Sequence, residues 1–328
     1  MTVESLSIVE AILSSAVSAG TIYLIASVGE CITERAGVIN LGLEGIMAMG
    51  AITSFLLTLA YGHLVAIIGA ALVGAVFGLL HALLSVSLRL NQIVVGLAIT
   101  WLGLGLSGFM GAPEVARGLL KALNPSVPEY LAELKQAPRL PEMRMEPLSD
   151  VPLLGRTLFS QNALVYFGLA SALVLWFILF KTRWGLSLRS VGENPALADT
   201  AGINIFAIRY LAVIVGSSLA GVAGAYLFIG YQPFWVEDLT RSRGFIALSL
   251  VILSSWSPLR AIAASFLFGG VETLQFRIPL RGFGAETPQL VMMLPYIITI
   301  VTLILISLAS RGRIPAPAAL GKPYSREE

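Results

Sequence analysis

Residues 34–51 have the sequence ERAGVINLGLEGIMAMGA. This apolar segment is interrupted by four glycines and two polar residues, namely Gly37, Gly42, Gly45, Gly50, Asn40 and Glu44. Glycine weakens a helix by about 1 kcal/mol per residue, and a charge at the centre of a bilayer costs about 2.5 kcal/mol or more. Such a segment is tolerated in a membrane only where it faces protein or water. It therefore predicts a broken helix that lines a pathway; the alternative is close packing, with Glu44 bonded to backbone donors.

The composition of the 328-residue chain indicates a membrane protein. Hydrophobic residues make up 56% of the chain and charged residues 12%, whereas a soluble domain carries about 25% charged residues. This excludes a soluble or a disordered protein. The net charge of +2 gives no reason to expect nucleic acid, and the single Cys31 excludes both an internal disulfide and a cysteine zinc site.

Apolar stretches of about 20 residues are long enough to cross a bilayer. They lie at 7–29, 37–60, 64–88, 92–110, 162–180, 207–230 and 288–309, with shorter ones at 244–256 and 260–276. We therefore expect an all-α polytopic membrane protein with about eight to ten transmembrane helices, some of them broken or re-entrant. Residues 1–7 contain Glu4 and neither Lys nor Arg, so we expect no cleavable signal peptide.

The distribution of charge predicts the orientation. Twelve of the forty charged residues, six of each sign, lie in residues 111–160. Lys and Arg in short loops stay in the cytoplasm, so the loop that follows Lys181 is assigned inside and 111–160 outside. Four arginines then fall outside, against that rule, namely Arg241, Arg243, Arg277 and Arg281.

Two parts of the chain form a weak repeat. The first comprises residues 37–50, a span from His63 and a span opened by residues 91–94. The second comprises a segment from Gly244, a span from Leu259 and a span opened by residues 288–291, with Gln289 in the place of Gln92. Counted as predicted spans, corresponding helices are five apart, so the copies run in opposite directions. Inverted repeats are a transporter architecture, but any two membrane segments rich in Gly and Leu look alike.

A second motif is predicted to be cytoplasmic. In residues 192–202, Asn194 can cap a helix that begins at Pro195, and Gly202 can end it in the left-handed conformation. We expect a helix of about two turns that exposes Ala196, Ala198 and Ala201. The alternative is an ordinary connecting loop.

Other polar groups in or near the spans suggest contact with a polar solute, namely Gln92, Trp101, Gln289, Glu272 and Gln275. His81 has no second metal ligand at a suitable spacing, and small residues such as Gly74 and Gly221 predict close helix packing. The chain has no phosphate-binding loop and no nucleophile elbow. We expect no catalytic residues, no metal and no cofactor.

Residues 34–51 resemble the signature of ABC-importer permeases for nucleosides and simple sugars, a group related to ribose and branched-chain amino acid permeases. The segment at 182–204 (TRWGLSLRSVGENPALADTAGIN) resembles that group's cytoplasmic coupling segment, and residues 243–261 and 317–328 extend the match. The asparagine and glutamate of NLGLEG are similar to the nucleoside-type members. One departure is residues 254–258, where a glycine-rich turn is expected before Trp256.

The resemblance implies a single transmembrane permease domain over residues 1–328, with an extracytoplasmic loop at 111–160 and a cytoplasmic coupling segment at 181–206. With the polar residues above, the translocation pathway would include Asn40, Gly42, Glu44, Gly45, Gln92, Trp101 and Gln289. ATPase coupling would involve Gly192, Glu193, Asn194, Pro195, Ala198 and Gly202.

The resemblance also implies that the chain is a multi-pass protein of the cell inner (plasma) membrane and that it acts with partners. These are a separate ABC ATPase subunit, a second permease chain, an extracytoplasmic substrate-binding lipoprotein and a small polar solute. It favours a different chain as the second permease and implies that this chain has no ATP site of its own. The competing hypotheses are an ion-coupled secondary transporter, with Glu44 and Glu272 as candidate ionisable groups, and a membrane assembly protein without a pathway.

Overall fold

Helices make up most of the part of the chain that the structure describes. The computed structural model describes residues 3–128, 130–152, 154–275 and 316–325, together with single positions between 293 and 308. The helices are α1 (Val3–Arg35), α2 (Leu43–Tyr61), α3 (His63–Ala82), α4 (Gln92–Gly111), α5 (Pro113–Leu123), α6 (Tyr130–Leu134), α7 (Leu154–Leu158), α8 (Ala163–Lys181), α9 (Arg183–Glu193), α10 (Pro195–Thr200), α11 (Ile205–Ala225), α12 (Arg243–Leu253) and α13 (Pro258–Gln275). Leu83–Ser87 and Tyr226–Tyr231 are π-helical continuations of α3 and α11, and Leu148–Asp150 is a 3-10 turn. The strands β1 (Glu142–Arg144) and β2 (Ser160–Asn162) form an antiparallel pair.

Six helices in the described part of the chain are long and apolar enough to cross a membrane. They cover Val9–Arg35, Leu43–Tyr61, His63–Ser87, Gln92–Gly111, Ala163–Lys181 and Ile205–Tyr231. The prediction of an all-α polytopic membrane protein is thereby confirmed. Helices α12 and α13 occupy the two shorter predicted stretches, and the predicted span at 288–309, with Gln289, lies outside the continuously described residues. Helix α1 extends beyond the predicted end at residue 29, so Glu30 and Glu34 lie within it.

The spans alternate in direction and form two ends. Residues 111–162 lie over one end, because the Leu140 N–H bonds the Ile229 carbonyl at 2.8 Å and the Asn124 side chain bonds the Ala60 carbonyl at 2.9 Å. The opposite end contains the end of α1, the connection from α3 to α4, and α9 with α10. We call this opposite end the α9–α10 end.

Helices α2 and α11 are at the centre of the molecule. In the most apolar 18-residue stretch of α2, 89% of the residues are buried, because α3, α4 and α11 pack around this helix. Glycine makes this possible: a Cβ at Gly50 would collide with the Gly221 carbonyl of α11, and one at Gly221 with the Ala70 carbonyl of α3. The small residues expected to allow close packing do bring three backbones into contact.

Replacing Gly224 with Ala tests this packing. A Cβ at Gly224 of α11 would collide with the Met47 carbonyl of α2, and overpacking of this kind typically costs about 1–3 kcal/mol. We expect Gly224→Ala to lower the thermal unfolding midpoint of the purified protein. The control is Gly105→Ala in α4, where a Cβ meets no atom within 4 Å; equal midpoints for the two variants would contradict the proposed packing.

Candidate functional site

The chain breaks between α1 and α2 at residues 36–42, which we call the break. Gly37 has a φ of +86°, a left-handed conformation that glycine adopts without the penalty of other residues. The Gly37 N–H bonds the Glu34 carbonyl at 2.9 Å, and the Val38 N–H bonds the Thr33 carbonyl at 3.2 Å. A glycine turn therefore ends α1, and the predicted interruption of the helix is limited to residues 36–42.

Four buried side chains hold the backbone of the break. Glu30 Oε1 accepts from the Asn40 N–H at 3.0 Å, Gln92 Oε1 accepts from the Ile39 N–H at 2.8 Å, His81 Nε2 pairs with the Ile39 carbonyl at 3.1 Å, and Arg209 Nε donates to the Ala36 carbonyl at 3.2 Å. Because unpaired backbone groups are costly in a bilayer, these contacts stabilise a non-helical segment there.

Each of these four side chains has a second polar atom whose partner is not found among the described residues. These atoms are Glu30 Oε2, Gln92 Nε2, His81 Nδ1 and Arg209 Nη2. All four residues are buried. Among the described residues, the break is thus surrounded by buried donor and acceptor atoms that make no hydrogen bond.

Asn40 connects the break to the central helix α11. Its side-chain amide donates to Ser217 Oγ at 3.1 Å, and its side-chain oxygen accepts from the Gly42 N–H at 2.9 Å. The residue is fully buried. Asn40 therefore both shapes the turn into α2 and fixes it against α11.

Glu44 joins the starts of two helices. It lies in the first turn of α2, and its carboxylate accepts from the Ser242 N–H at 2.7 Å and the Gly244 N–H at 2.6 Å, at the start of α12. Helix N-termini carry partial positive charge, so the buried carboxylate is stabilised by both helices. The predicted repeat pairs α2 with α12, whose N-terminal ends meet here; the repeat itself stays a prediction, because the third span of its second copy lies outside the continuously described residues.

Gly42 and Gly45 lie against α4. A Cβ at Gly42 would be 2.7 Å from Ile99 Cγ2, and one at Gly45 would be 2.6 Å from the carbonyl oxygens of Ile99 and Thr100. Both glycines therefore allow close approach of α4 to the start of α2.

The structure brings Asn40 and Gln92 together at the break, with Glu44 at the start of the next helix. It does not bring Trp101 there, because that side chain is 72% exposed on the outer surface of α4. Gln289 lies outside the described residues. The assignment of these residues to a pathway stays a prediction.

Glu34 and Arg35 link the end of α1 to the turn after α12. Trp256 Nε1 donates to the Glu34 carboxylate, and Arg35 Nε donates to the Trp256 carbonyl at 3.0 Å. Ser255 and Trp256 have positive φ values of 51° and 54°, so the turn is formed without the glycine expected before the tryptophan.

Arg243 and Glu272 form a buried ion pair at 2.6 Å. The Tyr23 hydroxyl donates to the second oxygen of Glu272 at 2.7 Å, and Arg243 Nη1 donates to the Leu239 carbonyl at 3.1 Å. Assigning Arg243 to an outward loop was wrong, because its charge is neutralised inside the protein. The available signal was a basic residue at the start of one apolar helix and an acidic residue within the next. Glu30 and Arg209 are also ionisable residues within apolar helices, but they were not predicted as functional residues.

The predicted short helix at the α9–α10 end is confirmed. Asn194 accepts from the Leu197 N–H at 3.0 Å as N-cap, Pro195 is the first residue of α10, and Gly202 has a φ of +81°. Gly192 ends up buried against the Arg35 carbonyl. Glu193 is exposed at the end of α9.

The exposed face of α10 differs from the expected one. Ala198 is only 3% exposed, because it packs with Val191 and Leu188 of α9. Leu197 is instead 67% exposed, beside Leu186 at 58%. These leucines border a hollow of about 420 Å³, and such apolar surface outside a bilayer is typical of a protein contact.

The sequence of the chain is similar to those of known transport permeases. The sequence model of the family described as branched-chain amino acid transport system / permease component matches residues 12–303. A putative glucose ABC transporter permease of Haloferax volcanii is 35% identical over 96% of this chain and 98% of its own length. A guanosine ABC transporter permease of Bacillus subtilis is 35% identical over 95% of this chain and 97% of its own.

Two further comparisons complete this result. A nucleoside ABC transporter permease of Lactococcus lactis is 34% identical, with 94% of both chains covered. A second guanosine permease of Bacillus subtilis is 21% identical over 83% of this chain and 76% of its own. No solved structure matches the chain.

Replacing Glu44 with Gln should destabilise the protein. The amide has one acceptor oxygen in place of two, so one of the two N–H groups at the start of α12 loses its partner, at a cost of about 1–3 kcal/mol. Thermal unfolding in detergent measures the effect. Glu237→Gln changes an exposed residue near α12 and serves as control; equal midpoints would show that Glu44 does not stabilise α12.

A double-mutant cycle tests the buried ion pair. Arg243→Met and Glu272→Gln should each cost about 3–5 kcal/mol, because each leaves a buried charge unpaired, and the double variant should cost less than the sum. The control is the same cycle on Arg117 and Glu133, a surface pair at 3.6 Å with an expected coupling of about 0–1 kcal/mol. Additive losses at Arg243 and Glu272 would contradict the pairing.

Proposed function

Because the chain belongs to the family of branched-chain amino acid transport system permease components, we propose that it is the permease subunit of an ABC importer for nucleosides or a related simple sugar. The observation that carries this proposal is its similarity, over nearly its full length, to permeases named for guanosine, nucleosides and glucose. Transport proceeds by alternating access, driven by ATP hydrolysis in a separate subunit.

The break supports the placement of the pathway. Its surroundings hold the neutral polar groups Asn40, Gln92 and Ser217 beside the ionisable Glu30 and Arg209, and the neutral groups suit a neutral polar solute. The polar atoms without partners among the described residues are costly to keep buried, so a conformation that admits water or solute to them is favoured by hydrogen bonding. The pathway therefore passes the break and Glu44, and Trp101 contributes only where a second permease covers the outer surface of α4.

The α9–α10 surface supports the proposed ATPase contact. Leu186 and Leu197 are exposed at an end of the molecule that carries basic side chains, which supports a cytoplasmic location for this end. The ATPase subunit binds here, and closure of its dimer moves α10. Glu193, Asn194, Pro195 and Gly202 define the end of α9 and the shape of α10.

The other proposed partners follow from the relatives and from charge. Bacillus subtilis has two different permeases named for guanosine, which supports a second, different permease chain here. Residues 111–160 lie at the opposite end from α10 and carry equal numbers of both charges. A binding lipoprotein docks on that extracytoplasmic face of the inner membrane through reversible, salt-sensitive contacts.

Uptake into intact cells or into sealed right-side-out vesicles tests the function. The complete transporter should accumulate labelled guanosine or a labelled simple sugar, and accumulation should stop when the ATPase subunit carries an inactive site. Uptake that survives loss of the ATPase and follows a proton or sodium gradient would show an ion-coupled secondary transporter instead.

Replacing Leu197 with Ser tests the docking surface. The change removes an exposed apolar contact without altering the buried face of α10, and loss of one such anchor costs about tenfold or more in affinity. Co-purification of the ATPase subunit measures the effect. Leu88→Ser is the matched control, because Leu88 is 58% exposed at the same end but outside α9 and α10; equal retention of ATPase by both variants would contradict docking at Leu197.

A further inference from the structure

Residues 316–325, which we call the tail, lie across the α9–α10 end. Their backbone and side chains bond elements distant in sequence. The contacts are Ala319 N–H to the Gly192 carbonyl at 2.9 Å, Gly321 N–H to the Gly37 carbonyl at 3.1 Å, Ala318 N–H to Glu193 Oε2 at 3.3 Å, the Tyr324 hydroxyl to Asp199 Oδ2 at 2.9 Å, and Arg209 Nη1 to the Lys322 carbonyl at 3.2 Å.

These contacts fall on two functional parts of the chain. Gly192, Glu193 and Asp199 belong to α9 and α10, the proposed ATPase-docking segment. Gly37 belongs to the break, and Arg209, which bonds the tail through Nη1, holds the Ala36 carbonyl of the break through Nε. The tail therefore bonds the docking segment and the break at the same time.

The fit of the tail is close. Ala319 is only 5% exposed, and Gly321 has a φ of +75°, a left-handed conformation that favours glycine. A Cβ at Gly321 would lie 3.1 Å from Ile39 Cδ1 of the break. Leu320 packs beside Trp256 and Val251, so the tail also reaches the end of α12.

We propose that the tail is a positioning element that transmits movement of α10 to the break. Movement of α10 reaches the tail through the Tyr324–Asp199 bond, and movement of α9 reaches it through the Ala319–Gly192 bond. The tail passes this movement through Gly321 to Gly37 and Ile39. This inference rests on the proposed function, because it assigns a role in transport. The tail is not part of the solute pathway. It stabilises the contact between the break, which the pathway passes, and the α9–α10 segment, which the ATPase binds.

The first test measures transport by the complete transporter. The variants are a chain that ends at residue 315, Tyr324→Phe and Ala319→Pro, with Lys322→Ala as control because the Lys322 side chain is exposed and only its carbonyl bonds Arg209. Truncation should lower solute imported per ATP hydrolysed by about tenfold while the ATPase stays bound and active, and each point variant by about fivefold, the effect of one lost hydrogen bond. Lys322→Ala should behave as the unmodified protein.

Three results would overturn the proposal. If the truncated and point variants import as much solute per ATP as the unmodified protein, the tail transmits nothing. If the ATPase is lost from the point variants, the tail only completes the docking surface. Where the truncated chain does not fold, Tyr324→Phe and Ala319→Pro decide, and coupling equal to that of Lys322→Ala overturns the proposal.

A second test does not depend on the solute. Hydrogen exchange of the purified permease should show faster exchange of the Ile39 and Asn40 amides in Ala319→Pro and in Tyr324→Phe, because the break loses its support, and no change in Lys322→Ala. Unchanged exchange would refute the linkage between tail and break. Absence of ATP-driven nucleoside or sugar uptake by the unmodified complex, with exchange changed as expected, would instead refute the proposed function alone.

Discussion

The fold depends on one constraint: inside a bilayer, a backbone that leaves the helical conformation must find its hydrogen-bond partners in the protein. At the break these partners are the side chains of Glu30, Gln92, His81 and Arg209. They come from α1, α4, α3 and α11. Because one short segment draws on four helices, movement of any of these helices changes the bonding at the point where the solute is proposed to pass.

Buried charge is handled in three different ways. Glu44 accepts from backbone N–H groups at a helix start, Glu272 is paired with Arg243, and Glu34 accepts from an indole N–H. Glu44 and Glu34 thereby connect elements that are far apart in the sequence. Glu272 connects the consecutive helices α12 and α13 and, through the Tyr23 hydroxyl, α1. These acidic residues act as fixed points between helices.

The sequence was sufficient for features that depend on neighbouring residues. Glycine and proline chemistry predicted the broken helix near Gly37 and the capped helix from Pro195, and apolar length predicted the spans. Features that depend on distant partners were missed. Arg243 was assigned to the outside because its partner Glu272, 29 positions away, could not be identified from the sequence. Ala198 was predicted to be exposed because the sequence does not show that α9 covers it. Trp101 has a plausible residue type for the site, but helical phase places it on the outer surface of α4.

The bond between Glu34 and Trp256 has a consequence for synthesis of the protein. The two residues are 222 positions apart, so the ribosome completes α1 long before its partner exists. The contact between the end of α1 and this turn therefore forms only after α12 and its turn have been synthesised.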